Sequence, residues 1–137
     1  MRYTLLDGWR DEVLLVARIL LVILFVLFGY LKLTGFHGTI AEMAAAGLPI
    51  PAVAAVVVVI LEFFVGLAIL FGFFTRPLAL LLAAYTLATG FIGHHYWTMT
   101  GTAHIANMIN FYKNLSIIGG LLLLCLTGPG RYSVDRR

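Results

Sequence analysis

Charge is scarce in this 137-residue chain: 11% of its residues are charged, six acids against nine bases. An ordinary soluble domain carries roughly 25% charge, so this composition excludes a conventional water-exposed surface. Cysteine is scarcer still. The single Cys125 has no partner within the chain, which excludes an autonomous dithiol mechanism unless another chain supplies the second thiol. Its plain reading is a small apolar residue in a helix. Only four prolines occur, and no Pro-rich or Ser-rich linker, low-complexity tract or internal repeat marks a second domain. There is no Gly-x-Ser-x-Gly elbow and no phosphate-binding glycine loop, because Gly119-Gly120 sits in an apolar run without a following Lys-Ser or Lys-Thr. No basic run is interleaved with aromatics, so nucleic acid is not an expected partner.

What the chain has in abundance is apolar residues: 62%, with a mean hydropathy of +1.04. They fall into long runs without period-two alternation, over about 13–33, 51–74, 77–93 and 105–127. A span needs about 20 residues to cross a hydrocarbon core of about 30 Å, and only helices or closed barrels satisfy the backbone there. The expected fold is therefore all-α, an integral membrane four-helix bundle forming a single domain over 1–137. Met1 to Glu12 carries five charges and leads into the first run without a small-residue cleavage site, so that run reads as a retained helix. Leu5, Leu6, Trp9 and Val13 suit a short interfacial helix with Trp9 at headgroup level.

Loop charge predicts orientation. Arg2, Arg10, Arg76, Arg131, Arg136 and Arg137 fall on the side that holds both termini, against Lys32 alone on the other. The positive-inside rule puts both termini in the cytoplasm. The basic pI near 9.3 follows from that asymmetry. His37, His94, His95 and His104 then lie at or near the outer face. Phe74-Thr75-Arg76-Pro77 reads as a tight hairpin with Pro77 in the first turn of the next helix. In the longer first outer loop, Thr39-Ile40-Ala41-Glu42 has capping-box spacing and Gly47 with Pro49 supplies a stop, predicting a short helix from about Ile40 to Ala46.

Three charges fall well inside apolar runs, away from their ends: Arg18, Glu62 and Lys113. A lone charge at the centre of a spanning helix costs about 2.5–3.5 kcal/mol on insertion scales, so each needs a partner or a purpose. Arg18, Val22, Phe25, Gly29 and Lys32 recur at spacings of four and three, forming one stripe that should face protein. His104, Asn107, Phe111 and Asn114 form a stripe on the last span, with Asn110 and Lys113 beside it. From the helical rise, Arg18 lies roughly 7 Å on one side of the Glu62 level and Lys113 roughly 6 Å on the other. The expectation is a buried network in which Glu62 pairs with Arg18, Lys113 or both. Such a network either sets helix register or borders a pocket for a polar or quinoid headgroup. The candidate pocket residues are Arg18, Lys32, Glu62, His94, His104, Asn110, Lys113 and Asn114. His94 and His95 are adjacent and no His-x3-His or Cys spacing accompanies them, so no metal site is expected.

Several segments resemble one family. Lys113-Asn114-Leu115 through Gly119-Gly120 to Gly128-Pro129-Gly130-Arg131-Tyr132-Ser133-Val134-Asp135 is similar to the closing signature of DoxX-family membrane proteins. Arg18-Ile19, Gly29-Tyr30-Leu31-Lys32-Leu33, Gly47-Leu48-Pro49, Glu62 with Gly66, and Thr75-Arg76-Pro77-Leu78-Ala79 match in order and spacing. The resemblance implies a four-helix bundle in the bacterial cytoplasmic (inner) membrane, with Arg18, Lys32, Glu62, His94, Lys113 and Asn114 as family-like polar positions. It further implies a redox-associated subunit, of the thiosulfate:quinone oxidoreductase type or of thiol and oxidative-stress defence. No covalent cofactor is implied. Its partners would be membrane lipid, a quinone and a soluble or membrane oxidoreductase. Two alternatives stand beside it: a scaffold that recruits a soluble enzyme through the charged termini and the Arg76 hairpin, and a homo-oligomeric transporter or proton pathway.

Overall fold

The computed structural model describes residues 5–135; Arg2, Arg136 and Arg137, counted among the basic anchors, lie outside the described residues. A 3-10 turn at Asp7–Trp9 leads into α1 (Arg10–Thr34), followed by α2 (Phe36–Ala45), α3 (Pro51–Phe71), α4 (Thr75–Gly93) and α5 (Gly101–Thr127). A second 3-10 turn, Tyr96–Thr98, bridges α4 and α5. Among the described residues there is no strand, and the segments built on α1, α3, α4 and α5 are long and apolar enough to cross a membrane. Several helices outrun the apolar runs that announce them. Hydropathy marks the part of a helix suited to lipid, whereas capping and sterics mark where the helix stops.

Two junctions differ from expectation. The short helix does not start at a capping box. Gly35 breaks α1 for a single residue, α2 begins at Phe36, and Thr39 sits inside it. The buried Thr39 hydroxyl turns back to donate to the Lys32 carbonyl at 2.9 Å, tying α2 to the last turn of α1. A hydroxyl that close to the preceding helix end satisfies an orphan carbonyl there instead of capping its own helix. At the hairpin, α3 ends at Phe71 instead of running to Phe74, because Gly72 takes a left-handed conformation at φ 73°.

Within α3, Ile60–Val65 widens into a π-helical turn that carries Glu62. Val58, Glu62, Gly66 and Ile69, spaced four, four and three, lie on the buried side of this helix. α1 packs chiefly on α3, and α4 on α5. Lipid tails are as apolar as leucine, so small residues and close backbone approach hold such pairs together. Gly29 is the tightest case: a Cβ there would lie 2.5 Å from the Phe63 nitrogen and 2.9 Å from the Glu62 carbonyl carbon. Along α1 the stripe Arg18, Val22, Phe25 and Gly29 is buried as its spacing predicts, while Leu20, Ile23 and Leu27 face outward. The packed core joins Val22 and Phe25 to Ile69, Ala79, Leu82, Ala83, Leu121 and Leu124.

The segment after α5 is more than a stop signal. It folds back along the hairpin, with Val134 N–H donating to the Phe71 carbonyl and Asp135 N–H to that of Gly72. The Asp135 carboxylate accepts the Phe74 and Thr75 N–H groups at 3.1 and 3.0 Å, capping the start of α4. Arg76 reaches the other way and donates to the Cys125 and Leu126 carbonyls at the end of α5. Arg76 therefore caps a helix while remaining exposed. Arg131 N–H donates to Asp11 and the Tyr132 hydroxyl to Glu12. That bond, with the charge of the same carboxylate, holds the Tyr132 phenol above its ordinary pKa.

Candidate functional site

Arg18, on α1, is bound by this closing segment, and the expected pairing with Glu62 does not form. Its guanidinium is 1% exposed and donates to the carbonyls of Leu70, Pro129 and Tyr132. Carbonyls satisfy a planar five-donor fork without a second charged group. Arg18 lies on α1 about two turns before Phe25, whereas Glu62, on α3, faces α1 at Gly29 on the other side of it, so the stripe puts a different cation within reach. That cation is Lys32. Its Nζ stands 2.7 Å from both carboxylate oxygens of Glu62, and the Tyr85 hydroxyl donates to Oε1 at 2.6 Å. Among the described residues this is the one Lys or Arg ion pair. The close approach at Gly29, one turn from Lys32, brings the two backbones near enough for the contact.

Beyond the packed core, toward the end opposite the termini, the helices surround a cavity of about 590 Å³, within the roughly 300–1,000 Å³ of small-molecule pockets. α1 contributes Phe28 and Lys32, α3 contributes Val58 and Glu62, and α2 stands at the mouth with Glu42 and Met43. The facing wall comes from Tyr85, Thr86 and Thr89 on α4, His94 after it, and Lys113, Asn114 and Ile117 on α5. Most of this lining is apolar, with polar groups confined to a few points.

Most of these polar groups have a defined partner. Asn114 donates to the Thr86 carbonyl at 3.2 Å and to Thr89 Oγ1 at 3.3 Å. Its Nδ2 is thereby committed to α4, and its Oδ1 is the remaining acceptor. His94 Nδ1 meets Asn107 Oδ1 at 3.0 Å, an acceptor that places the proton on Nδ1. Lys113 donates to Asn110 Oδ1 at 3.0 Å, and among the described residues that is its hydrogen bond in hand. Of the eight candidate positions, Lys32, Glu62, His94, Lys113 and Asn114 line the cavity, whereas Arg18, His104 and Asn110 do not. His104 instead donates to the Tyr96 and Met99 carbonyls, in a cluster of rings formed by Tyr96, Trp97, Phe111 and Tyr112. Among the described residues no group of three His, Cys, Asp or Glu side chains converges.

Tyr85, Thr86, Thr89 and Glu42 escape the sequence reading. A signal existed for three of them: hydroxyl-bearing residues crowd into five positions of an otherwise apolar helix. Nothing in a single sequence announces the π turn around Glu62, or that Lys32, at a helix end, reaches inward to it.

The pattern of the DoxX family matches residues 13–95. Inner membrane protein YphA of Escherichia coli K12 is 52% identical, covering all of this chain and 98% of that protein. Inner membrane protein YqjF of the same organism is 49% identical over 93% of this chain and 92% of that protein. A short stretch, 32% of this chain, is 48% identical to ER-derived vesicles protein ERV29 of Saccharomyces cerevisiae. No solved structure matches the chain.

Proposed function

The chain belongs to the DoxX family of membrane proteins, and from that membership and the cavity we propose an inner-membrane subunit that binds a quinone headgroup. It hands electrons to or from a partner oxidoreductase of sulfur or thiol metabolism. Both termini face the cytoplasm in this reading, by the excess of arginine at that end. The cavity then opens toward the outer face.

The observation that carries the reading is the make-up of the cavity. An apolar volume of about 590 Å³ holds one fixed polar group, Lys32–Glu62–Tyr85, and opposes it with Lys113, His94 and Asn114. A quinone head is a flat apolar ring with carbonyl acceptors on opposite edges, so the residues present fit it. Phe28, Val58 and Ile117 supply apolar contact area, and Lys113 has N–H groups left to donate to a carbonyl. A bound quinone would supply a two-electron, two-proton carrier. The protein's own residues orient it, exclude bulk water from the packed side and offer hydrogen bonds at its edges. Cys125 stands alone, so electrons enter from a partner.

Photolabelling of purified protein with azido analogues of ubiquinone and menaquinone tests this. Label should appear on cavity residues of α4 and α5 and should vanish when Thr89→Trp fills the space. Label confined to lipid-facing positions, or unchanged in Thr89→Trp, would remove the quinone site.

A further inference from the structure

Charge around the cavity does not balance within the spanning helices. Lys32 and Glu62 cancel each other across 2.7 Å. Arg18 lies outside the cavity, among the carbonyls of the closing segment and near Asp135. That leaves Lys113, the thirteenth of the 27 residues of α5 and so near the middle of that helix. Its partner is the neutral Asn110 amide, one turn away on the same helix. Glu42, the other carboxylate on the cavity lining, is exposed and belongs to the short loop helix, not to a span. Lys113, like Glu42, is exposed in the chain taken alone; at mid-helix in a bilayer that exposure is to lipid or to the cavity, where an ammonium attracts an anion far more strongly than in water and an uncompensated charge is costly unless something completes it.

We infer that the cavity selects an ionised headgroup: an acidic quinoid or aromatic ring whose oxyanion sits on Lys113, with its apolar body along Phe28, Val58 and Ile117. The inference rests on the reading of the cavity as a headgroup site and narrows its ligand class. Asn114 sharpens the geometry. With Nδ2 committed to Thr86 and Thr89, Oδ1 is left to accept a hydrogen bond from a hydroxyl neighbouring the oxyanion. Access for such a ligand lies at the α2 end, because the opposite half is filled by Val22, Ile69, Leu82 and Leu121, all 0% exposed.

Two probes of one size separate charge from shape: 2-hydroxy-1,4-naphthoquinone, an anion at neutral pH, and 2-methyl-1,4-naphthoquinone, which stays neutral. Binding is measured by calorimetry on the full chain in nanodiscs. The anion should bind at least tenfold more tightly, and the preference should fall below threefold in Lys113→Gln while surviving in Lys113→Arg. On the unaltered protein, the preference should also disappear as the pH is lowered until the hydroxyl of the probe is protonated, a readout independent of whether the variants fold. Equal binding of the two probes, or a preference that survives Lys113→Gln, would overturn the inference and leave the quinone site standing. If neither probe bound the unaltered protein, the headgroup site itself would fall.

Discussion

Gly29→Ala probes the contact on which the Lys32–Glu62 pair depends. The added Cβ would sit 2.5 Å from the Phe63 nitrogen and 2.8 Å from its Cα, whereas ordinary contact begins at 3.4 Å. The shortfall, 3.4 minus 2.5, is 0.9 Å, and both nearest atoms are backbone, so no side chain can swing aside. α1 and α3 must separate by about that distance. A Lys32–Glu62 contact of 2.7 Å stretched by that amount would pass the limit of a hydrogen bond. Overpacking of this kind costs about 1–3 kcal/mol, partly offset by up to about 1 kcal/mol of helix propensity gained over glycine. Gly119→Ala isolates the propensity gain, since nothing lies within 4 Å of a Cβ there. Unfolding in mixed micelles, followed by circular dichroism against denaturing detergent, should find Gly29→Ala less stable than Gly119→Ala by about 1–3 kcal/mol. Equal stability of the two variants would show that the α1–α3 approach is looser than described.

Lys32→Met and Glu62→Gln each strand one member of a half-buried pair, whereas the double variant strands neither, so their costs should couple by about 0.5–3 kcal/mol in a double-mutant cycle. Strict additivity would mean the two groups do not act on each other. Asp135→Ala removes the acceptor for the Phe74 and Thr75 N–H groups and should lower stability by about 0.5–2 kcal/mol, the range for a lost helix cap. A neutral result in thermal unfolding would demote the closing segment to a passive tail.

Much of the architecture was legible because lipid leaves few choices. Long apolar runs in a poorly charged chain admit little besides helices, and the four-and-three spacing of Arg18, Val22, Phe25 and Gly29 identified the inward face of α1 without reference to any neighbour. The partner of Glu62 was not legible. Depth along the helices puts Arg18 and Lys113 within plausible reach of Glu62 and passes over Lys32, the actual partner, because depth says nothing of rotation about the axis or of which helix stands beside which. The π turn at Ile60–Val65 rotates Glu62 locally, and the returning segment Gly128–Asp135 supplies Arg18 with carbonyls that no periodicity foretells. The capping-box motif misled for a related reason: Thr39 had two backbone ends within reach, and the nearer one belonged to α1.

Composition and periodicity, which are properties of each helix alone, settled that this chain forms membrane-spanning helices, where their inward faces lie and which of their charges are anomalous. Which charges meet was decided only when α1 closed on α3 at Gly29 and the carboxyl-terminal segment closed on Arg18. Pairing depends on distances of an ångström between elements far apart in the chain. Those distances come from the packing of all the helices together, and no local pattern encodes them.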